Sequence, residues 1–216
     1  EKNKDSFSVS NKRIQKFKEF EQKYHRETSN YYYTNNESVF IQEFGPNKIG
    51  FLLINDSWRC SNGLKIENHF VGINQLFNAK HIFDDNKTDI NVVLFHHPLE
   101  FFNENERTEI KNILQKYNFE LVICGHTHKS NLNFNHGISG NAMFLNAKSA
   151  FNNPREELAK YQPGYHIIDI NPNSLDLTCN FRTYIHSRYE FDKDTNSAPD
   201  GVYKEKLIAR SDKIGR

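Results

Sequence analysis

The sequence predicts an α/β fold built on a mixed sheet, and three observations carry that prediction. First, two apolar runs, Asn91-Val92-Val93-Leu94-Phe95 and Phe119-Glu120-Leu121-Val122-Ile123-Cys124, flank a helical pattern over 104–117. Strand, helix, strand with short joins is a crossover unit, and its two strands must run parallel. Second, Val39-Phe40-Ile41 and the run Ile49 to Ile54 flank Gly45-Pro46-Asn47-Lys48, which is turn chemistry between two antiparallel strands. Third, candidate strands at 131–135, 142–147, 165–170 and 175–186 follow, with Asn171-Pro172-Asn173 as the turn between the last two. That spacing is antiparallel in character.

The remaining elements follow in order. Residues 10–26 read as an amphipathic helix, because Ile14, Phe17, Phe20 and Tyr24 recur at helical spacing with Lys and Glu between them. That aromatic stripe is expected to face the core. Residues 27–37 are polar and tyrosine-rich and read as loop, with Tyr31, Tyr32 and Tyr33 packing locally. A second helix is expected over 72–84, carrying Ile73, Leu76, Phe77 and Ile82. The run 91–95 is apolar without alternation, so its strand is buried on both faces. The helix over 104–117 presents Ile110, Ile113, Leu114 and Tyr117 on one face, with Asn103 as N-cap and Glu106 three residues on. Residues 190–216 are charged and contain Pro199 and Gly201. The expected division is a domain over 1–190 and a charged tail or linker over 191–216.

Composition narrows the function classes. The chain has 216 residues, 28 of them Lys or Arg and 27 Asp or Glu, for a net charge of +1. Such a balance gives no global argument for nucleic acid or an anionic membrane. No run of about 18 apolar residues occurs, so no membrane span is expected. The opening EKNKDSFSVS lacks the apolar centre of a signal peptide. Three cysteines, Cys60, Cys124 and Cys179, are too few and too scattered for a disulfide framework or a thiolate zinc site. A reducing, cytoplasmic setting is expected. The chain begins at Glu1 and its single methionine is Met143, which reads as a processed or excerpted chain.

Chemistry concentrates at one place. Parallel strands of a crossover unit deliver their C-terminal ends to the same sheet edge, where ligands bind. The first strand ends into His96-His97-Pro98 and the second into Gly125-His126-Thr127-His128. Four of the ten histidines are thereby brought together. Imidazole suits zinc, iron, nickel or copper and is accepted by manganese. Gly125 fits a point where the backbone turns sharply or approaches a ligand.

These residues resemble the calcineurin-like metallophosphoesterases. VVLFHHP at 92–98 and LVICGHTH at 121–128 match that family's His-His-Pro and Gly-His-x-His elements, each after an apolar strand. IGFLLINDSW at 49–58 resembles the family's central strand and the polar loop after it, and YQPGYHIIDI at 161–170 a late strand. The resemblance covers about residues 10–186. It implies the C-terminal portion of an α-β-β-α sandwich. It also implies a site with two divalent metal ions (Mn, Zn, Fe or Ni). Carried over, His96 and His126 are ligands of the second metal and His128 of the first. His97 lies behind the ligands, orienting one or touching substrate. The implied activity is hydrolysis of phosphate mono- or diesters, as a phosphatase or phosphodiesterase, through attack by metal-bound hydroxide.

The family's other ligand motifs are Asp-x-His, Gly-Asp-x-x-Asp and Gly-Asn-His-Asp or Glu, and none occurs in these 216 residues. Gly140-Asn141-Ala142 starts like the last but has alanine where histidine is required. Asp56 is the nearest acidic candidate and does not match the bridging aspartate. Two cations about 3.5–4 Å apart need a bridging carboxylate, which imidazoles cannot replace. The expectation is that a segment preceding Glu1 carries the three missing motifs, and that this chain is the histidine half of the site. The alternative is a degenerate, non-catalytic fold used as a protein-interaction module. Zinc-protease His-Glu-x-x-His and nucleotide-binding Gly-x-x-x-x-Gly-Lys signatures are absent. Arg182 and Arg188 have the chemistry to reach phosphate, without a motif to place them, and His166 and His186 read as structural.

Overall fold

A computed structural model describes residues 2–34, 36–57, 69–127, 131–137, 140–151, 158 and 161–207. In chain order these form helix α1 (Lys2–His25), strands β1 (Tyr31–Tyr33), β2 (Ser38–Phe44) and β3 (Asn47–Leu53), helix α2 (Asn74–Asn86), strand β4 (Ile90–Leu94), helix α3 (Glu104–Lys116) and strand β5 (Leu121–Cys124). Then follow β6 (Asn131–Gly137), β7 (Gly140–Asn146), β8 (Gly164–Ile170), β9 (Asp176–Ile185), β10 (Glu190–Lys193) and β11 (Val202–Lys206).

The first seven strands make one sheet in the order β1-β2-β3-β4-β5-β7-β6. β3, β4, β5 and β7 run parallel in its middle, and antiparallel hairpins close both flanks. The sheet is therefore mixed. Its parallel centre is where the crossover unit was expected. The strands of that centre are buried on both faces. Val93, Phe95, Val122 and Cys124 face α2 and α3, packing with Leu76, Ala79, Phe83, Ile110 and Leu114. Ile49, Ile90, Val92, Leu121 and Leu145 face the other way. There they meet Leu177, Cys179 and Phe181 of a second, antiparallel sheet made by β8, β9, β10 and β11. Helices, sheet and sheet are stacked as layers. Gly50 lets α2 come close, since a Cβ there would lie 2.5 Å from the Phe83 ring.

Four expectations change. α1 buries its polar side: Lys18 and Glu21 are buried, whereas Phe17, Phe20 and Tyr24 are exposed. Tyr31–Tyr33, expected as loop, adds an edge strand to β2. Asn103 caps α3 by accepting from the Asn105 N–H at 3.2 Å, but Glu106 does not close a capping box. Its carboxylate instead accepts the backbone N–H groups of Val71 (2.9 Å) and Gly72 (2.7 Å), pinning the chain ahead of α2. Finally, the stretch 191–216, expected as a charged tail, contributes most of Glu190–Lys193 and all of Val202–Lys206 to the second sheet. β10 and β11 both pair antiparallel with β9. Main-chain pairing holds these strands while their charged side chains stay in water, so their composition resembles that of a tail. Residues 208–216 lie outside the described residues.

Candidate metal centre

The C-terminal ends of β3, β4 and β5 open at one edge of the first sheet. β4 runs into Phe95, whose N–H donates to Ile123 at 2.9 Å, and then into His96 and His97. β5 runs into Gly125, whose N–H donates to the His96 carbonyl at 3.1 Å. That bond ties the two histidine loops together directly. The sharp turn after β5 is taken at His126, with φ 65°, rather than at Gly125. His tolerates the left-handed region better than most residues, at a cost of order 1 kcal/mol or more.

His96, His97 and His126 converge, and their donor atoms all lie within 4.8 Å of one another. His126 Nδ1 and His96 Nε2 lie 3.1 Å apart. His96 and His126 are exposed, whereas His97 is buried. Phe101 packs edge-on against His126, with ring centroids 4.8 Å apart, and walls one side of the cluster.

The loop after β3 contributes a carboxylate. Asp56 is 2% exposed. Its Oδ2 accepts the backbone N–H groups of His96 (3.0 Å) and His97 (2.6 Å) and lies 3.3 Å from His97 Nδ1. Burial alone would raise the Asp56 carboxyl, but the His97 ring and backbone override it and hold the group below the ordinary carboxylate range. The loop carrying Asp56 is fixed from α2. Gln75 accepts from the Asn55 N–H and donates to the Asn55 carbonyl, both at 3.0 Å.

A fourth imidazole was not singled out by sequence. The His69 ring centroid lies 4.6 Å from that of His97. Burial lowers the His69 pKa, the His97 charge adds to that, and the Asp56 charge opposes it. An isolated bridge between His69 and Phe102 brings it to the cluster, and nothing in its local sequence announces this. Cys124, one residue before the loop, is no ligand candidate. Burial, with the Glu100 and Asp56 charges, pushes its thiol up to about 12 and keeps it protonated.

Of the expected site residues, His96, His97 and His126 are brought together, and His128 lies outside the described residues. Arg188 is held by Glu190 and Asp192, and Arg182 donates to the Phe181 carbonyl. Three imidazoles within reach of one another fit a divalent ion of the zinc, iron or nickel kind. They do not by themselves fit two ions, because Asp56, the carboxylate shown beside the His97 ring among the described residues, is already committed to backbone N–H groups.

The fold and this strand-edge cluster define a metallophosphoesterase-type chain. The calcineurin-like phosphoesterase family profile matches residues 10–130, more than half of the sequence, and the chain belongs to that family. No curated protein sequence matches it. Among solved structures it is similar to purple acid phosphatase PPD1 from yellow lupin (Lupinus luteus) seeds, at 12% identity and a TM-score of 0.47, over 82% of this chain and 34% of that one. It is similar to Vps29 from Entamoeba histolytica complexed with Zn2+, at 14% identity and a TM-score of 0.30, over 78% of this chain and 59% of that one. Chaetomium thermophilum Vps29 gives 12% identity and a TM-score of 0.29, over 79% and 61% of the two chains. The chain thus spans 34% of the phosphatase and 59–61% of these Vps29 chains. No helix among the described residues is long and apolar enough to cross a membrane.

Proposed function

We propose that this chain supplies the imidazole half of a dinuclear metal centre that hydrolyses phosphate mono- or diesters. One observation carries the reading: imidazoles from the ends of two adjacent parallel strands converge at the sheet edge with donor atoms within 4.8 Å. His96, His126 and, from the Gly-His-Thr-His motif, His128 are its ligands. Divalent ions (Mn, Zn, Fe or Ni), when bound, supply Lewis-acid polarisation of the phosphoryl oxygens and activation of the attacking water. The chain's own part is to hold and orient. His96 and His126 present nitrogen donors on the exposed side, where a phosphate ester has access. Phe101 covers one flank, and the bond from Gly125 to His96 fixes the spacing of the two loops. The bridging carboxylates come, in this proposal, from a segment carrying Asp-x-His, Gly-Asp-x-x-Asp and Gly-Asn-His. A cytoplasmic setting is part of the proposal and is supported by the free, buried thiols of Cys124 and Cys179.

Calorimetric titration with Zn2+ and Mn2+, run beside chromogenic phosphomonoester and phosphodiester assays, tests the reading. The expected result is weak metal binding without turnover by the 216-residue chain, and turnover once a segment carrying the three motifs is joined to it. Efficient turnover by the chain alone overturns the half-site. The absence of those motifs from the sequence favours one second reading, a non-catalytic binding module. That reading is upheld if the joined protein binds no metal.

A further inference from the structure

We propose that His97 is itself a metal-facing imidazole of this centre, and that Asp56 is the positioning residue that commits it to that role. The proposal rests on the reading of the cluster as a metal centre. It departs from the ligand set implied by the family motif, in which the second histidine of His-His-Pro stands behind the first.

The geometry makes His97 the hub of the cluster. Its ring centroid is 4.6 Å from that of His96, 4.5 Å from that of His126 and 4.6 Å from that of His69. One of its nitrogens falls within 4.8 Å of donors on His96 and His126. Nδ1 lies 3.3 Å from Asp56 Oδ2, with the two side chains 7% and 2% exposed. A neutral imidazole carries one N–H and one lone pair. Nδ1 is buried and makes no hydrogen bond among the described residues, so Asp56 acts on it as a nearby negative charge, which favours the N–H on Nδ1 and leaves the lone pair on Nε2. That is the tautomer a metal requires, and a carboxylate behind the ligand is the usual way of fixing it. Asp56 also fixes the backbone. Its Oδ2 accepts the N–H groups of both His96 and His97, so one carboxylate sets the turn that delivers both rings. Its Oδ1 faces the Ser57 hydroxyl at 3.4 Å. With its oxygens so occupied, Asp56 acts through His97 and not on an ion.

The test uses the 216-residue chain, 15N-labelled for long-range imidazole correlation spectra, with Zn2+ as the probe. The expected result is a metal-free His97 in the Nδ1–H form, with Zn2+ shifting its Nε2 resonance. His97→Gln and Asp56→Asn each weaken Zn2+ binding by about 10–100-fold, and Asp56→Asn also changes the His97 tautomer. Asn keeps an oxygen to accept the two backbone N–H groups, and thermal melts verify that the fold persists. Should Asp56→Asn unfold, His97→Gln and the wild-type tautomer still decide. Zn2+ binding by wild type that His97→Gln leaves unchanged overturns this proposal alone, as does an Nε2–H tautomer. A wild type that binds no Zn2+ overturns the metal-centre reading itself.

Discussion

Lys148 Nζ lies 2.6 Å from Asp194 Oδ2, and the two side chains are 2% and 0% exposed. The pair bolts the segment after β7 to the turn after β10. Lys148 also donates to Thr183 Oγ1 at 3.1 Å, and the Ser197 hydroxyl donates to Asp194 at 2.7 Å. Burial would raise the Asp194 carboxyl, yet Lys148 and Ser197 hold it below the usual range. A carboxylate depressed in the folded state stabilises above its unfolded pKa of about 4, and that contribution is lost as pH falls through the folded value.

Removing one partner leaves a buried charge alone. Lys148→Met is therefore expected to cost about 3–5 kcal/mol in urea melts at neutral pH. The double variant Lys148→Met with Asp194→Leu should recover much of that loss. Equal stability of the single and double variants would show that the ion pair is not what the site needs.

His166 governs a different pH window. It sits on β8 against Phe181, with ring centroids 4.6 Å apart. Burial pushes it down to about 4, with the Asp194 charge opposing and the Lys148 charge reinforcing. In the unfolded chain it titrates near 6.5, so between those values the unfolded state holds the extra proton. Stability should then rise with pH from about 4 to 6.5, by an amount on the order of 3 kcal/mol. Replacing His166 with Gln should flatten that slope when ΔG is measured across the window. An unchanged slope would assign the pH dependence to other groups.

On α1 the sequence pattern misled, and the reason is physical. Helical spacing puts Phe17, Phe20 and Tyr24 on one face, but they are 62%, 61% and 71% exposed. The buried face is chosen by Glu21. Its carboxylate accepts the Tyr31 hydroxyl at 2.6 Å and the Ser38 hydroxyl, and Lys18 Nζ sits 2.5 Å away. Lys18 is a local partner, but the two hydroxyls come from residues 10 and 17 positions downstream, beyond any local pattern. Glu21→Ala should cost on the order of 3 kcal/mol, while Phe20→Ser should stay within about 0.5 kcal/mol. Chemical melts of the two variants decide between the faces.

The parallel centre of the sheet was legible because a continuous apolar run such as Val92–Phe95 must be covered on both sides. A crossover unit then sends His96 and His126 to one edge. What sequence could not carry was orientation. Asp56 works through main-chain N–H groups, so its role leaves no spacing signature. His69 arrives through a bridge to Phe102, a contact between residues 33 positions apart that only the folded chain creates. The strands β10 and β11 were hidden for a related reason, since edge pairing is indifferent to side chains.

His126 combines a side chain proposed as a ligand with a backbone that its residue type resists. At φ 65° a non-glycine residue pays about 1–2 kcal/mol, and glycine escapes this at an entropic cost of about 0.5–1 kcal/mol. His126→Gly should therefore keep close to wild-type stability, whereas His126→Ala retains the strain and should melt lower than the glycine variant. Both should lose Zn2+ binding by calorimetry, because neither has a donor. This separates the two duties of the residue: glycine satisfies the turn and fails the site. An alanine variant as stable as the glycine one would mean that the turn is unstrained. Retained Zn2+ binding in both would place the ion elsewhere.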